Sequence, residues 1–245
     1  MQIFECHTQS EASIAKLQCS LQGATIKSSM SVYDTPFWST QFYDHKARWI
    51  HYFNQIRFVA DEIRRGGGNI NSFSVLEVGP SHGLVNSYLK KFGVYAKTLD
   101  IKPEYKPDFL GSVFAMPIPD NTFDMVIACE VLEHYPFAEL KKGLAELRRV
   151  SKKTVLFSCP DARRILFSVA IKTPFFKEIK FAVRIPTLKT HTAKHQGDHH
   201  WEIGKLDYPP SKIRNEIIDA GFLVREELVY PDTPKNHYFL LEKNE

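Results

Sequence analysis

The chain has 245 residues, 43% apolar and 24% charged, which suits a large globular domain and excludes a disordered or collagen-like polymer. Its formal charge of +4 is far from the footprint of a dedicated nucleic-acid binder. Cys6, Cys19, Cys129 and Cys159 show no CxxC spacing, the opening MQIFECHTQSEAS lacks a leader's apolar core, and no apolar run approaches a membrane span, so a cytoplasmic protein with reduced thiols is expected.

Residues 1–30 are rich in Ser, Gln and Thr and weakly patterned. From Tyr33 to Phe58 nine of 26 residues are aromatic, against 31 of 245 overall, so Tyr33, Phe37, Trp38, Phe42 and Tyr43 exceed what one helix needs and can wall a pocket. Asp44 can cap a helix running to about Arg65. Trp49, Phe53, Ile56, Ala60 and Ile63 recur at helical spacing and predict its buried stripe, and Gly66-Gly67-Gly68 stops it. Residues 1–68 are therefore expected to be an N-terminal arm and cap helix, and 69–245 the main domain.

Strands and helices then alternate. Ser74–Val78 is a short buried strand, Leu84–Phe92 a helix, Val94–Leu99 a strand ending in Asp100, Phe109–Leu110 a brief strand and Phe123–Cys129 a strong one. Phe137–Val150 reads as an amphipathic helix, with Leu140, Leu144 and Leu147 on one side, and Thr154–Ser158 as the fifth strand. Alternation of this kind predicts βαβ crossovers and a parallel sheet with helices on both faces. Ser211 is expected to cap a helix to Ala220, followed by Phe222–Val229 and His237–Leu241, an antiparallel pair. Residues 161–207 break the alternation and read as a lid insertion. Between Ala162 and His195 eight Lys and Arg face one acid, Glu178, a local charge of +7 that leaves the rest of the chain at −3.

The turn after the first strand, Gly79-Pro80-Ser81-His82-Gly83, brings backbone N–H groups to a helix N-terminus, and Asp100 can accept two ribose hydroxyls at the end of the next strand. A dinucleotide site wants a third glycine, yet Asn86 stands near that position, and Glu77 is an anion ill suited to phosphates but good for a cation. An NAD site is therefore not expected.

Glu77-x-Gly79-x-x-x-Gly83 resembles the first motif of class I S-adenosylmethionine-dependent methyltransferases, E/D-x-G-x-G-x-G, with Ser81 in place of the middle glycine. GSVFAMPIPDNTFDMVIACEVLEHYP, Gly111–Pro136, is similar to the signature of their small-molecule, type-11-like branch. The resemblance covers about Ser74 to Ser158, then Gly221–Phe222 and the terminal hairpin. It implies a Rossmann-like, doubly wound seven-stranded sheet with an antiparallel last strand, and S-adenosyl-L-methionine lying across the strand C-termini. By the same resemblance Glu77, Gly79 and Gly83, with Pro80 and Ser81 in the turn, surround the methionine part. Asp100, with Ile101 beside it, binds the ribose, Ser112 and Val113 lie by the adenine, and Cys129 sits near the methionine group. The family usually has an acid where Ser112 stands, so adenine recognition departs from its pattern.

An oxygen nucleophile benefits from a general base, and two groups of residues offer one. Glu133 and His134 follow the fourth strand, where His134 either serves as a base or orients the next helix. The lid ends in HTAKHQGDHHWEIG, where His195, His199 and His200, with His191, Trp201 and Glu202, can recognise substrate or take a proton. Their spacing invites a metal on one helical face, but Gly197-Asp198 interrupts that helix and no cysteine or paired acid completes it, so no metal is expected. The expected activity is methylation of a small or carrier-linked, anionic acceptor, at oxygen, with a sugar-type substrate favoured. The alternatives are an RNA methyltransferase, which would use the basic insertion on phosphates, and a non-catalytic partner protein of the same fold. Arg163–Arg184 could also form an interfacial helix on acidic lipid, although Pro174 and Pro186 would interrupt it.

Overall fold

The computed structural model describes residues 46–171, 179–189 and 199–244. In chain order these form α1 (Lys46–Arg65), β1 (Ser74–Val78), α2 (Leu84–Lys91), β2 (Tyr95–Asp100), β3 (Phe109–Leu110), β4 (Phe123–Cys129), α3 (Leu140–Val150), β5 (Ser151–Pro160), β6 (Arg164–Ile171), β7 (Ile179–Ile185), α4 (Pro210–Asp219), β8 (Phe222–Leu228) and β9 (Asn236–Lys243). Seven strands make one sheet in the order β3-β2-β1-β4-β5-β9-β8. β1 to β5 run parallel, and the last strand, β9, is antiparallel to both β5 and β8. The strand order reverses between β1 and β4, so their C-terminal ends open the crevice where ligands bind in sheets of this kind.

Alternate residues of each strand feed different cores. Leu76, Val78, Val126, Val155 and Phe157 pack with Leu140, Leu144 and Leu147 of α3 and Ile213 and Ile217 of α4. Val75, Met125, Ile127, Leu156 and Leu240 pack with Phe58, Val59 and Ile63 of α1 and Val85 and Leu89 of α2. Burying both faces explains why β1 and β4 read as nearly continuous apolar runs.

Two expectations are corrected. The buried face of α1 is not the aromatic stripe, because Trp49 and Phe53 are 53% and 62% exposed. The buried residues are His51, Asn54, Gln55, Phe58, Val59, Glu62 and Ile63. This face is half polar because His51, Asn54 and Glu62 have partners on the sheet or on the turn that joins its last two strands. His51 Nδ1 lies 2.6 Å from the Tyr238 hydroxyl, Asn54 donates to Thr233, and Glu62 accepts from Thr154 and Arg225. Second, the part of the insertion read as an interfacial helix contains a β-hairpin, with β6 and β7 paired antiparallel in a sheet of their own. Its β-branched and aromatic residues, Ile165, Phe167, Val169 and Ile171, recur at a spacing of two, which suits a strand. A smaller difference is that α4 begins at Pro210, without a side-chain cap from Ser211. Asp44, the aromatics Tyr33–Tyr43, His191 and His195 lie outside the described residues.

Two of the eight basic residues between Ala162 and His195 are already committed. Asp161, the residue just before the basic stretch, is buried and accepts from both Arg163 and Arg184. His237 lies between Asp161 Oδ2 at 3.1 Å and Glu227 Oε1 at 2.9 Å, and Arg214 closes on Glu227 at 2.6 Å. One network thus joins the ends of β5 and β9 to the hairpin, β8 and α4. Burial opposes the Asp161 charge, but the His237 ring and the Arg163 guanidinium outweigh it and hold this carboxyl below the usual range. Its contribution to stability is therefore full above the unfolded value of about 3.9 and is lost as pH falls below it. Asp161→Ala strands buried cations and should lower stability by about 3–5 kcal/mol in urea unfolding at neutral pH, the deficit shrinking in acid. A loss under about 1 kcal/mol at pH 7 would show the network to be incidental.

Candidate functional site

The site grows from the end of β1. Glu77 shares its sheet face with Val75 and is buried against α2, where the Asn86 backbone N–H donates to its Oε2 at 3.0 Å. The acid thereby satisfies one of the orphan N–H groups at the start of α2. Asn86 also donates from its side chain to the Lys97 carbonyl at 3.1 Å, tying α2 to β2, so the residue near the absent third glycine is a clamp. Burial pushes the Glu77 carboxyl up to about 8, with the Asn86 N–H and Lys90 acting against the rise. A cation placed beside it would restore its charge.

The turn itself alternates through the left-handed region at Gly79 (φ 67°), Ser81 (φ 51°) and Gly83 (φ 66°). Ser81 occupies at some strain a backbone shape that glycine adopts freely. The Gly79 N–H donates to Leu99 of β2 at 2.9 Å, and a side chain there would meet Val131 at 2.8 Å. Around Gly83 a Cβ would meet nothing within 4 Å, so space stays open over the N-terminus of α2. Pro80 is buried and Ser81 half-buried. A polar cavity of about 350 Å³ lies beside this turn, lined also by Tyr105 and Asp108, but neither Glu77 nor Asp100 faces it, so it is not the strand-end crevice.

At the end of β2 Asp100 is buried, accepts the Lys102 N–H at 2.9 Å, and is shifted upward by burial against that hydrogen bond. Ile101 beside it is exposed. Val113 is buried, while the Ser112 hydroxyl accepts the Phe114 N–H at 3.2 Å and so shapes its own turn. Cys129 closes β4, half-buried, and burial followed by the nearby Glu130 keeps its thiol well above the ordinary value, hence protonated.

Past β4 the chain turns sharply. Glu130 has a left-handed backbone (φ 57°), and its Oε1 accepts the Ser158 hydroxyl at 3.0 Å. Burial raises its carboxyl. Glu133 is 0% exposed and raised further, first by burial and then by Glu130. Among the described residues neither Glu133 carboxylate oxygen has a hydrogen-bond partner. The HHWEI segment docks here from the far end of the insertion. Trp201 and Ile203 are buried at alternate positions, Trp201 edge-on to Phe137, and Ile203 donates to the Pro160 carbonyl. The backbone N–H of His200 donates to the Glu133 carbonyl at 2.6 Å. That anchoring presents His199 to His134, ring centroids 5.1 Å apart, with the His199 Nδ1 at 3.0 Å from Glu202.

The structure therefore gathers Glu77, Gly79, Pro80, Ser81, Gly83, Asp100 and Cys129 around adjoining strand ends, and joins His134 to His199 and Glu202. His200 contributes its backbone to this cluster, and its side chain is exposed. Sequence reasoning missed Glu130, whose only signal is its place three residues before Glu133.

Residues 76–159 match the methyltransferase domain family model. No curated protein matches the chain. Among solved structures, the chain is similar to the 1,6-didemethyltoxoflavin-N1-methyltransferase of Burkholderia thailandensis, bound to 1,6-didemethyltoxoflavin and S-adenosylhomocysteine (TM-score 0.56, 11% identity, covering 100% of this chain and 94% of that one). It is also similar to the magnesium protoporphyrin IX methyltransferase of Synechocystis PCC 6803 bound to SAM (TM-score 0.55, 14% identity, covering 87% and 93%). At such identities the likeness to these structures is one of fold.

The two glycines of the turn should differ on substitution. Gly83→Ala meets only left-handed strain, about 1–2 kcal/mol, whereas Gly79→Ala adds the Val131 clash for a total of about 2–4 kcal/mol in urea unfolding. Equal losses would contradict the close packing of Gly79.

Proposed function

We propose that the chain is a class I S-adenosylmethionine-dependent methyltransferase and that it methylates a hydroxyl of a small or carrier-linked acceptor. The cofactor is S-adenosylmethionine, and the residues fit it. Space is open over Gly83, Asp100 stands at the strand end that a ribose would reach, and the buried Glu77 is poised for a cation. When bound, this cofactor supplies an electrophilic methyl group on a sulfonium. The resemblance assigns Glu77 to the methionine part and Asp100 to the ribose, and leaves the adenine to the wall near Val113.

The observation that carries the hydroxyl reading is the Glu202–His199–His134 group beside the strand ends. A hydroxyl must lose its proton as it attacks, and an imidazole oriented by a carboxylate is the usual acceptor for it. Glu202 fixes the His199 ring through Nδ1, and His134 packs edge-on against that ring. Holding the acceptor oxygen in line with the methyl group is the other part of the rate enhancement. A sugar-type, anionic acceptor remains our favoured class. Arg163 and Arg184 are spent on Asp161, so anion binding falls to residues such as Arg164 and Lys189, both exposed. Cytoplasmic action is part of the same proposal. No helix among the described residues is long and apolar enough to cross a membrane.

Glu77 gives a pH test of the cofactor assignment. Its folded value is raised to about 8, and a neighbouring cation favours the charged form, so binding releases a proton. Affinity for S-adenosylmethionine should rise by up to about tenfold per pH unit from about pH 6 to 8 and then level off. Glu77→Gln should flatten that slope in calorimetry, and an unchanged slope would remove Glu77 from the site. The Asp100→Ala variant should bind the cofactor about 1–3 kcal/mol more weakly.

The function is tested by incubating the protein with methyl-labelled S-adenosylmethionine and a small-molecule extract, then locating the label by mass spectrometry. An O-methyl group on a sugar or related hydroxyl is expected; label on nitrogen, or on RNA added in parallel, would overturn the reading. With the product in hand, His199→Ala should lower turnover by about 10²–10⁴-fold while cofactor affinity holds.

A further inference from the structure

We infer that Glu133, His134 and His199 form a binding site for a divalent transition-metal ion of the zinc class, at the mouth of the crevice. One ligand atom from each of these side chains lies within 4.8 Å of the other two. Donors around zinc sit about 2.0–2.2 Å from the ion, hence roughly 3–4 Å from one another, so the group closes on a cation with shifts of about 1 Å. Two imidazoles and one carboxylate suit a borderline transition metal better than calcium or magnesium, which take oxygen donors.

Proximity alone does not make a site, and Glu133 supplies the independent observation. Its side chain is 0% exposed, its carboxylate is turned toward the two rings, and neither oxygen has a hydrogen-bond partner among the described residues. A buried carboxylate to which no neighbouring side chain donates is a costly arrangement that folds otherwise avoid. A bound dication removes the cost directly. The surroundings are those of a metal-binding imidazole. Glu202 sits 3.0 Å from the His199 Nδ1, the outer carboxylate that orients such a ring and directs Nε2 to the metal. The His200 backbone N–H holds the Glu133 carbonyl at 2.6 Å, so the HHWEI segment and the turn after β4 are locked together with the ligands between them.

The ligands come from segments far apart in the chain, and the helical spacing of His191, His195 and His199 is irrelevant to them. The inference goes beyond the base role proposed above: in the loaded protein the ion, in place of an imidazole, acidifies an acceptor hydroxyl that reaches it. Metal binding itself is read without any acceptor.

The test is equilibrium dialysis of the full chain against micromolar zinc, and separately cobalt(II), with bound metal measured by elemental analysis and the cobalt site by its visible absorption. The wild type should hold about one equivalent with a spectrum of mixed nitrogen and oxygen ligation. Glu133→Gln, nearly isosteric, and His199→Ala should each weaken binding by about 10–100-fold or more while S-adenosylmethionine affinity stays within about twofold. Less than about one-tenth of an equivalent in the wild type, or wild-type affinity in both variants, overturns the inference. Zinc binding in a protein that fails to methylate hydroxyls would leave the metal site standing and remove the proposed acceptor instead.

Discussion

Glu77 is the constraint on which the candidate site depends. An acid inside a parallel sheet has water on neither face, so it needs a donor or a cation brought to it by the fold. The Asn86 N–H at the start of α2 provides that contact and fixes the geometry of the turn between them. Gly79 and Gly83 follow from the need to pass from strand to helix in five residues with three left-handed steps, the third at Ser81. Burial, offset only in part by that N–H, leaves the carboxyl raised to about 8, which makes the site responsive to a cationic ligand that favours the ionised acid. Past the end of β4, burial likewise raises the carboxyls of Glu130 and Glu133.

The Asp161 network does for the insertion what Asn86 does for the turn. Without it, a β-hairpin with exposed Leu166, Phe167, Val169 and Ile171 would have little to fix it to the main sheet. Two arginines on one buried aspartate, backed by His237 and Glu227, anchor the hairpin's base beside β5 and β9. The local excess of positive charge is thus partly a structural device, which narrows the number of cations left to meet an acceptor.

The sheet was legible because apolar runs bounded by turn residues occur at regular intervals, and β4 over Phe123–Cys129 is read without error from FDMVIAC. The placement of Glu77, Gly79, Gly83 and Asp100 at adjoining strand ends was legible because they are close in sequence and belong to one strand-turn-helix-strand unit. The face of α1 was not, since apolar periodicity selects Trp49 and Phe53 whereas the helix buries His51, Asn54 and Glu62 on polar partners more than 90 residues away. For the same reason the neutralisation of Arg163 and Arg184 was hidden: a charge count that begins at Ala162 omits the one acid that matters. The meeting of Glu133 and His134 with His199 is a product of tertiary docking by Trp201 and Ile203, which spacing cannot reveal.

The central claim is that a buried acid at the end of β1 makes this crevice a site for a sulfonium cofactor and not for a dinucleotide. Calorimetric titration of the protein with S-adenosylmethionine and, in parallel, with NADH tests it most directly. The account predicts saturable one-to-one binding of S-adenosylmethionine and no measurable heat from NADH at the same concentrations. Tighter binding of NADH would contradict it.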